Sequence, residues 1–330
     1  MTNLVNNINV DDALKALAAC TVWYPGYQAA LGLISKCIDT TRDRKDPASA
    51  MLIGPTGVGK TRLCRMIEKQ LGTLHEVTRE TCVKMRLPCM YVELPETATV
   101  KSLSMVMAKA LLQPTNDHQS VTSLESLIIE RFITMEVKLV ILDDFHHVAE
   151  KGELRTKKAL CNWLMILMNS SGIPFLVSGA LAAETTINMA DELSDRFPYR
   201  ARLELLPLAE EQPKSVLLGV LAGLQQEMVR LGQLKSYPHL TDPNNYKRLY
   251  LATQGNFRRL SDLLHDAFRS VLLRGDSIMT INDFAEAADC LHFCNNPNYF
   301  RIPSSQLNNA LKTQAKQLSE KAKRLSEKAK

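Results

Sequence analysis

The chain has 330 residues, of which 45% are hydrophobic and 23% are charged, and its formal net charge is +5. This composition is typical of a globular protein with room for one large and one smaller folded unit. No apolar run reaches the roughly 18 residues that cross a bilayer, and the first residues lack the basic and apolar regions of a secretory signal. The sequence therefore predicts a cytoplasmic protein without a membrane role, whose eight cysteines stay reduced.

Short apolar runs rich in β-formers alternate with helical patterns over the first 206 residues. This alternation predicts an α/β unit with a five-stranded parallel sheet. The predicted strands cover residues 50–54, 89–94, 138–142, 173–177 and 202–206, and the predicted helices between them cover about 60–71, 100–112, 121–135, 154–169 and 181–190.

The first predicted strand runs into a glycine-rich loop that matches the P-loop pattern GxxxxGK[ST] between a strand and a helix. Glycines let successive backbone N–H groups turn toward phosphate oxygens, and the start of the helix adds its dipole. Lys60 is expected to reach the β- and γ-phosphates of ATP, and the Thr61 hydroxyl to ligate Mg²⁺. The predicted ATP-binding residues of this loop are Gly54, Pro55, Thr56, Gly57, Val58, Gly59, Lys60 and Thr61.

The third predicted strand ends in two carboxylates, Asp143 and Asp144. A carboxylate beside the P-loop strand is the Walker B feature, so Asp143 is expected to hold Mg²⁺ directly or through water. In AAA+ ATPases the next residue is usually a glutamate that orients the attacking water, and Asp144 is one methylene shorter. Because a misplacement of about 1 Å costs roughly a hundredfold in rate, we predict slow ATP hydrolysis. His146 and His147 are interpreted as structural neighbours of this site.

Two more positions of the α/β part fit the AAA+ pattern. Ser178 follows the fourth predicted strand, where these ATPases place a polar sensor of the γ-phosphate or the water. Arg196 lies in a Ser-Asp-Arg-Phe segment that resembles the one bearing the arginine finger, which acts on the ATP of a neighbouring subunit. Arg200 and Arg202 are alternatives for the finger, and all three arginines are otherwise surface charges.

After Pro207 the pattern is helical only, which predicts a lid of four helices at 211–231, 244–253, 257–273 and 281–292. The predicted domains are thus an α/β domain at 1–207 with an N-terminal helical segment, a lid at 208–293, and a linker with a basic tail at 294–330. The run GNFRRL resembles the second-sensor motif of initiator-type lids and makes Arg258 a nucleotide contact. Tyr24 lies before the first strand, where AAA+ proteins form the adenine pocket.

The tail carries most of the excess charge, with seven basic and two acidic residues in 311–330. The remaining residues are therefore neutral overall, and any surface for a polyanion on the folded body must be a local patch. Leu311, Leu318 and Leu325 recur every seven residues, which predicts a helix with a thin apolar stripe and a basic surround. Such a helix is either a solvated end of the chain or a docking segment for a partner protein or nucleic acid.

Together, the motifs YPG, GPTGVGKT, ILDDFHH, SGA, DRF and GNFRRL resemble those of the transposition regulators TnsC and TniB over about residues 20–290. The length and the basic tail resemble TnsC of CRISPR-associated transposons. The resemblance implies an AAA+ ATPase that forms ATP-dependent rings or filaments on duplex DNA. It also implies that the protein receives a target-selection signal from TniQ and recruits and activates the transposase TnsB, often with the endonuclease TnsA.

In that family the DNA contacts come from the segment after the second strand, which here comprises residues 99–102 and 116–122. Lys101 is the cation of these stretches and is expected to contact phosphate without regard to sequence. Gln119 and Thr122 are weaker candidates, and Lys101 is otherwise the exposed start of a helix.

Two alternatives stay open at this point. A replication initiator or helicase loader shares the lid motif, but it normally brings a separate DNA-binding domain, and the residues after His292 are too few for one. A scaffold that binds ATP and DNA without turnover is the second alternative, since Asp144 replaces the usual glutamate.

Overall fold

The computed structural model describes residues 9–44, 46–79, 82–95, 99–151, 153–208, 215–294 and 296–328. Contacts divide the chain into two compact units, one of Pro25–Glu204 and one that joins Met1–Tyr24 to Leu205–Lys330. The described residues 9–24 therefore group with the C-terminal helices, whereas the sequence prediction counted them with the α/β domain. Among the described residues, no helix combines the length and the apolar character that a membrane crossing requires.

The elements follow one another along the chain in this order: α1 (Val10–Ala19), α2 (Pro25–Arg44), β1 (Ala50–Ile53), α3 (Lys60–Leu71), β2 (His75–Arg79), β3 (Cys82–Arg86), β4 (Cys89–Glu93), α4 (Val100–Ala110), α5 (Val121–Thr134), β5 (Leu139–Asp143), α6 (His146–Lys151), α7 (Leu154–Ser171), β6 (Phe175–Gly179), α8 (Leu181–Ile187), α9 (Asp191–Asp195), β7 (Tyr199–Arg202), α10 (Val216–Gly232), α11 (Pro243–Thr253), α12 (Phe257–Arg274), α13 (Ile281–Cys290) and α14 (Leu307–Lys328).

A five-stranded sheet with the order β4-β5-β6-β1-β7 forms the centre of the α/β unit. All of its strand pairs are parallel, and every residue of β1, β5 and β6 is buried, as expected for a sheet covered by helices on both faces. The predicted five-stranded parallel sheet is thus confirmed. Because the carboxyl ends of parallel strands share one edge, the loops after β1, β5 and β6 meet there.

The last strand differs from its prediction, because β7 covers Tyr199–Arg202 rather than residues 202–206. Its partner β1 has only four residues, and the pairing ends where Ile53 lies opposite Arg202. Leu203 adds one more bond by donating its N–H to Ile53 O at 2.8 Å. Since β1 then turns into the glycine-rich loop, the described residues 204–208 have no strand partner in this sheet.

A second sheet of two antiparallel strands, β2 and β3, has no counterpart in the sequence prediction. Its side chains are largely exposed, with Val83 at 62% exposure. The segment lacks the Asn-Gly or Asp-Gly pair that marks a tight hairpin, and charged residues interrupt its alternation. These features explain why the pattern did not indicate strands.

The hydrophobic core of the α/β unit contains large side chains from the sheet and from the helices that cover it. Phe132 of α5 and Phe175 of β6 meet edge to face with ring centroids 6.5 Å apart. Phe145, in the loop after β5, and Phe197, in the loop before β7, are also buried in this core. The loop after β5, which carries Asp144, is therefore anchored by an aromatic residue.

The second unit is helical, and helices α10 to α13 confirm the four predicted after Pro207. The basic tail forms α14, whose Leu307 and Leu311 pack against Leu251 of α11. Gln314 Nε2 donates to Leu251 O at 3.0 Å, and the buried Arg248 side chain donates to the Ile302 carbonyl at 2.9 Å. The first turns of the tail helix thus belong to the packed unit, while the predicted boundaries at 207 and 293 stay predictions.

Candidate functional site

The glycine-rich loop joins β1 to α3 at the carboxyl edge of the sheet. Gly57 and Gly59 have φ angles of +82° and +95°, in the left-handed region that favours glycine. Gly59 is the N-cap of α3 and provides no side chain to cap its first turn. Such a curled backbone before a helix N-terminus is the geometry that binds phosphate oxygens. Of the other predicted loop residues, Val58 is buried, whereas Pro55 and Thr56 are exposed.

Tyr27 of α2 contacts this loop at Gly59. Its hydroxyl donates to Gly59 O at 2.9 Å, and a Cβ on Gly59 would lie 1.8 Å from the same hydroxyl. Burial raises the pKa of Tyr27 to about 12, so the group stays a neutral donor. Sequence reasoning chose Tyr24 and missed Tyr27, although Tyr27 lies one helical turn further on. Tyr24 is buried and belongs to the other compact unit, so its place at the adenine stays a prediction.

Lys60 lies between the loop and the acidic end of β5. Its Nζ donates to Gly54 O at 2.8 Å and to Pro55 O at 3.0 Å. Burial lowers the pKa of Lys60, while the charges of Asp143 and Asp144 act to raise it. The ammonium group is therefore held by the loop within the field of both carboxylates.

Asp143 ends β5 and is fully buried. Its Oδ2 accepts from the Tyr91 hydroxyl at 2.8 Å and its Oδ1 accepts from the Asp144 N–H at 3.0 Å. Tyr91 lies on the neighbouring strand β4, and the Arg65 guanidinium lies 3.4 Å from the centroid of its ring. Burial and the charge of Asp143 raise the pKa of Tyr91. Tyr91 and Arg65 were not predicted, because they reach the site through a contact between elements.

The donor set at this position fits Mg²⁺, which prefers oxygen ligands. Thr61 is exposed in the first turn of α3, and its hydroxyl is one such donor. Asp143 supplies a carboxylate whose two hydrogen bonds leave further lone pairs for the ion or its water. The two predicted metal ligands therefore have the chemistry that the ion requires.

Asp144 has a φ angle of +56°, which is uncommon for a residue with a side chain. This backbone places its carboxylate beside His146, with 3.7 Å between Asp144 Oδ1 and His146 Nδ1. Ser178, the predicted sensor, is fully buried on β6, and its carbonyl accepts from Phe145 N at 2.9 Å. The Ser178 hydroxyl lies next to the Cys64 thiol of α3, whose pKa is raised by burial.

The three candidate arginines each have an acidic partner within the chain. Arg196 forms an ion pair with Asp46. Arg200 and Arg202 both bind Glu184 of α8, at 3.3 and 2.8 Å respectively. Glu184 is buried, whereas Asp46 is exposed. Arg196 is thus held by the weaker, more solvated pair, because solvent screens an exposed ion pair strongly.

The two stretches predicted to contact DNA lie side by side. Lys101 Nζ donates to the Asp117 carbonyl. Thr99 caps the N-terminus of α4 and Ser120 caps that of α5, so each stretch leads into the positive end of a helix dipole. Of the weaker candidates, Thr122 is exposed, and Gln119 Oε1 accepts from Asn116 N at 3.1 Å.

Arg258 lies in the helical unit. It is exposed in the first turn of α12, whose N-cap Asn256 accepts from Arg259 N at 3.2 Å. The Arg259 guanidinium lies 5.5 Å from the Phe293 ring centroid, so this neighbour is engaged in packing. Arg258 is the member of the pair whose side chain is presented to solvent.

Solved structures with similar folds are Cdc6p from Pyrobaculum aerophilum (TM-score 0.58, 16% identity), with 86% of this chain and 71% of that chain covered, and two proteins from Aeropyrum pernix. The first is ORC2, with a TM-score of 0.57 and 14% identity, over 78% of this chain and 66% of that chain. The second is ORC1 in complex with DNA, with a TM-score of 0.55 and 15% identity, over 83% of this chain and 67% of that chain. At these identities the likeness establishes the fold alone, which is that of the AAA+ ATPases. The chain spans about two thirds of the length of the ORC2 structure.

A search of curated protein sequences gives no match. The family model described as bacterial TniB protein matches residues 17–204, more than half of the chain. The matched region contains the P-loop, both carboxylates of the acidic strand end and the three arginines. The chain belongs to the TniB family.

Proposed function

We propose that this protein is a slow ATPase that assembles on duplex DNA and regulates DNA transposition. In this role it links target selection by TniQ to the recruitment and activation of the transposase TnsB, with TnsA where that partner is present. The basic residues of the tail helix favour the subgroup found in CRISPR-associated transposons. The observation that carries the ATPase part is the arrangement around Lys60, which lies between the curled loop and the carboxylates of Asp143 and Asp144.

In this proposal ATP and Mg²⁺ bind at the loop and the acidic end of β5. The loop amides and Lys60 bind the phosphates, while Thr61 and Asp143 hold the ion, which neutralises charge on the phosphate oxygens when bound. Tyr91 keeps Asp143 oriented through its hydrogen bond. Asp144 orients the attacking water, and Ser178 and Arg258 act as the two sensors of the nucleotide.

Oligomerisation completes the site in this proposal. Arg196 leaves its exposed partner Asp46 and binds the γ-phosphate of the adjacent subunit. Since an arginine finger contributes about 10³-fold or more to the rate, hydrolysis depends on assembly. DNA lies against the patch formed by Lys101 and the starts of α4 and α5, where Gln119 and Thr122 are also placed.

A scaffold that binds ATP without hydrolysing it is the second candidate, favoured by the short side chain and left-handed backbone of Asp144. Single-turnover hydrolysis with and without duplex DNA separates the two, because the ATPase releases phosphate and the scaffold does not. Electron microscopy with a non-hydrolysable ATP analogue on DNA tests the regulator itself. Filaments or stacked rings support it, a single discrete ring favours an initiator or helicase loader, and a monomer contradicts it.

A further inference from the structure

The His146 ring at the start of α6 contains a buried polar atom that lacks a partner. Its Nδ1 makes no hydrogen bond within the described part of the chain. Among the described side chains, its acidic neighbour is Asp144, whose Oδ1 is 3.7 Å away. A normal N–H···O distance is about 2.9 Å, so the two atoms are just beyond bonding range. Burying a donor or acceptor without a partner is unfavourable, which favours closing this gap.

The backbone around the pair is fixed, so only side-chain rotation closes the gap. Asp144 N donates to Asp143 Oδ1 at 3.0 Å, and Asp144 O accepts from His147 N at 3.0 Å. Gly179 of β6 lies so close that a Cβ there would be 3.2 Å from His146 N. The Asp144 side chain is 31% exposed and the His146 side chain 19% exposed. The carboxylate is therefore the more mobile partner, and the imidazole is the more rigid one.

We infer that His146 is a positioning residue for Asp144, which deepens the proposed ATPase function and rests on it. The Nδ1–H group donates to Asp144 Oδ1 and holds the carboxylate toward the attacking water. The second carboxylate oxygen, Oδ2, then accepts a proton of that water. Asp144 is a methylene shorter than glutamate, so its carboxylate has less reach toward the water. The hydrogen bond from His146 selects the side-chain rotamer that brings Oδ2 to the water.

A packing role for His146 predicts a different result. The ring lies tilted by 32° against that of His147 with centroids 4.5 Å apart, and any side chain of similar volume would preserve that contact. Substitution of His146 by asparagine or glutamine separates positioning of Asp144 from packing. The amide nitrogen of asparagine takes the place of Nδ1, whereas the amide nitrogen of glutamine takes the place of Nε2. Leucine keeps volume and removes the donor.

The experiment measures ATP turnover on duplex DNA with the full chain, together with the affinity for a non-hydrolysable ATP analogue. We expect His146→Leu and His146→Gln to lower kcat by about tenfold or more, in keeping with the cost of a misplaced catalytic group, with unchanged analogue affinity. His146→Asn restores most of the wild-type kcat. His147→Asn is the matched control and keeps the wild-type kcat.

A second arm uses Asp144→Glu, whose longer side chain reaches the water without support. In that background His146→Leu is expected to have little further effect on kcat. Equal kcat for wild type and His146→Leu, or equal losses in His146→Asn and His146→Leu with unchanged melting temperatures, overturns the positioning role alone. An assembled wild type that binds the analogue but never releases phosphate overturns both this role and the proposed ATPase.

Discussion

The Tyr91 hydroxyl on β4 donates a hydrogen bond of 2.8 Å to Asp143 Oδ2 on the adjacent strand β5. The acceptor is a fully buried carboxylate at the end of its strand, so the phenol is part of the environment that keeps this charge inside the protein. Tyr91 is itself covered by the Arg65 guanidinium. Three elements, α3, β4 and β5, thus converge on one carboxylate.

Replacing Tyr91 by phenylalanine leaves Asp143 with one hydrogen bond fewer in a buried position. A hydrogen bond to a charged group contributes about 1.5–3 kcal/mol, so we expect the free energy of unfolding in urea to fall by about that amount. Tyr237→Phe is the control, because Tyr237 is partly exposed and its contact is a ring packed edge to face on His239, which phenylalanine keeps. An unchanged unfolding free energy in Tyr91→Phe contradicts the role given to this phenol.

A Cβ at Gly59 meets the Tyr27 hydroxyl at 1.8 Å in a backbone with φ of +95°. Gly59→Ala is therefore expected to abolish binding of an ATP analogue, measured by calorimetry. Gly172→Ala is the matched control, since Gly172 has φ of +67° and open space around it, so it tests backbone strain without the clash. Adding Tyr27→Leu to Gly59→Ala removes the clash and should restore part of the affinity for the analogue. If the affinity is not restored, the loss comes from backbone strain at Gly59 and not from the clash with Tyr27.

The buried Tyr27 hydroxyl also predicts a dependence of stability on pH. Its pKa is raised by burial from 10.0 to about 12, so between these values the unfolded chain releases the proton and the folded chain keeps it. Stability from this group is complete below pH 10 and falls as the pH rises toward 12. The fall in unfolding free energy between pH 9 and 11.5 should therefore be smaller in Tyr27→Phe than in the wild type. Parallel curves for the two proteins contradict this assignment.

Lys101 should contribute one phosphate contact. In Lys101→Ala we expect weaker binding to duplexes of any sequence and a slope of log K against log salt that is smaller by about 1. Lys109→Ala is the control, because Lys109 is exposed in the last turn of the same helix, away from the two helix starts. Fluorescence anisotropy over a salt series gives both quantities, and equal slopes in the two variants would argue against the patch.

The arginine finger is tested by mixing subunits. Arg196→Ala and Lys60→Ala should each lose hydrolysis, the former by about 10³-fold with analogue binding retained. In a mixture of the two variants, an Arg196→Ala subunit keeps Lys60 and can bind ATP. A neighbouring Lys60→Ala subunit supplies Arg196 to that ATP, so activity should partly return. If recovery of hydrolysis in the mixture requires Arg202 and not Arg196, the arginine finger is Arg202 of β7.

Much of the α/β unit could be read from the sequence because its signals are local. The P-loop pattern and the apolar strand before Asp143 each occupy consecutive residues, and α3 begins and ends where its pattern predicts, at Lys60–Leu71. The hairpin of β2 and β3 was not predicted, because its strands bury little apolar surface and therefore need no strict alternation of apolar and polar residues. The start of β7 was misplaced because its pairing is set by the length of β1.

The supporting groups of the site could not be predicted in the same way. Each of them acts through a contact to a residue far away in the sequence. Tyr27 contacts Gly59, Tyr91 contacts Asp143, and Glu184 binds two of the candidate arginines. A tyrosine in a helix or strand is most often a core residue, and only the three-dimensional arrangement identifies the polar group at its tip.

The tail helix has a mechanical consequence. α14 has 22 residues and is about 33 Å long at 1.5 Å per residue. Leu307, Leu311 and Gln314 fix its first two turns, and every described side chain from residue 315 to residue 320 is exposed. A pull on residues 321–328 would therefore pass along one continuous helix to the contacts that Leu307, Leu311 and Gln314 make with Leu251 of α11.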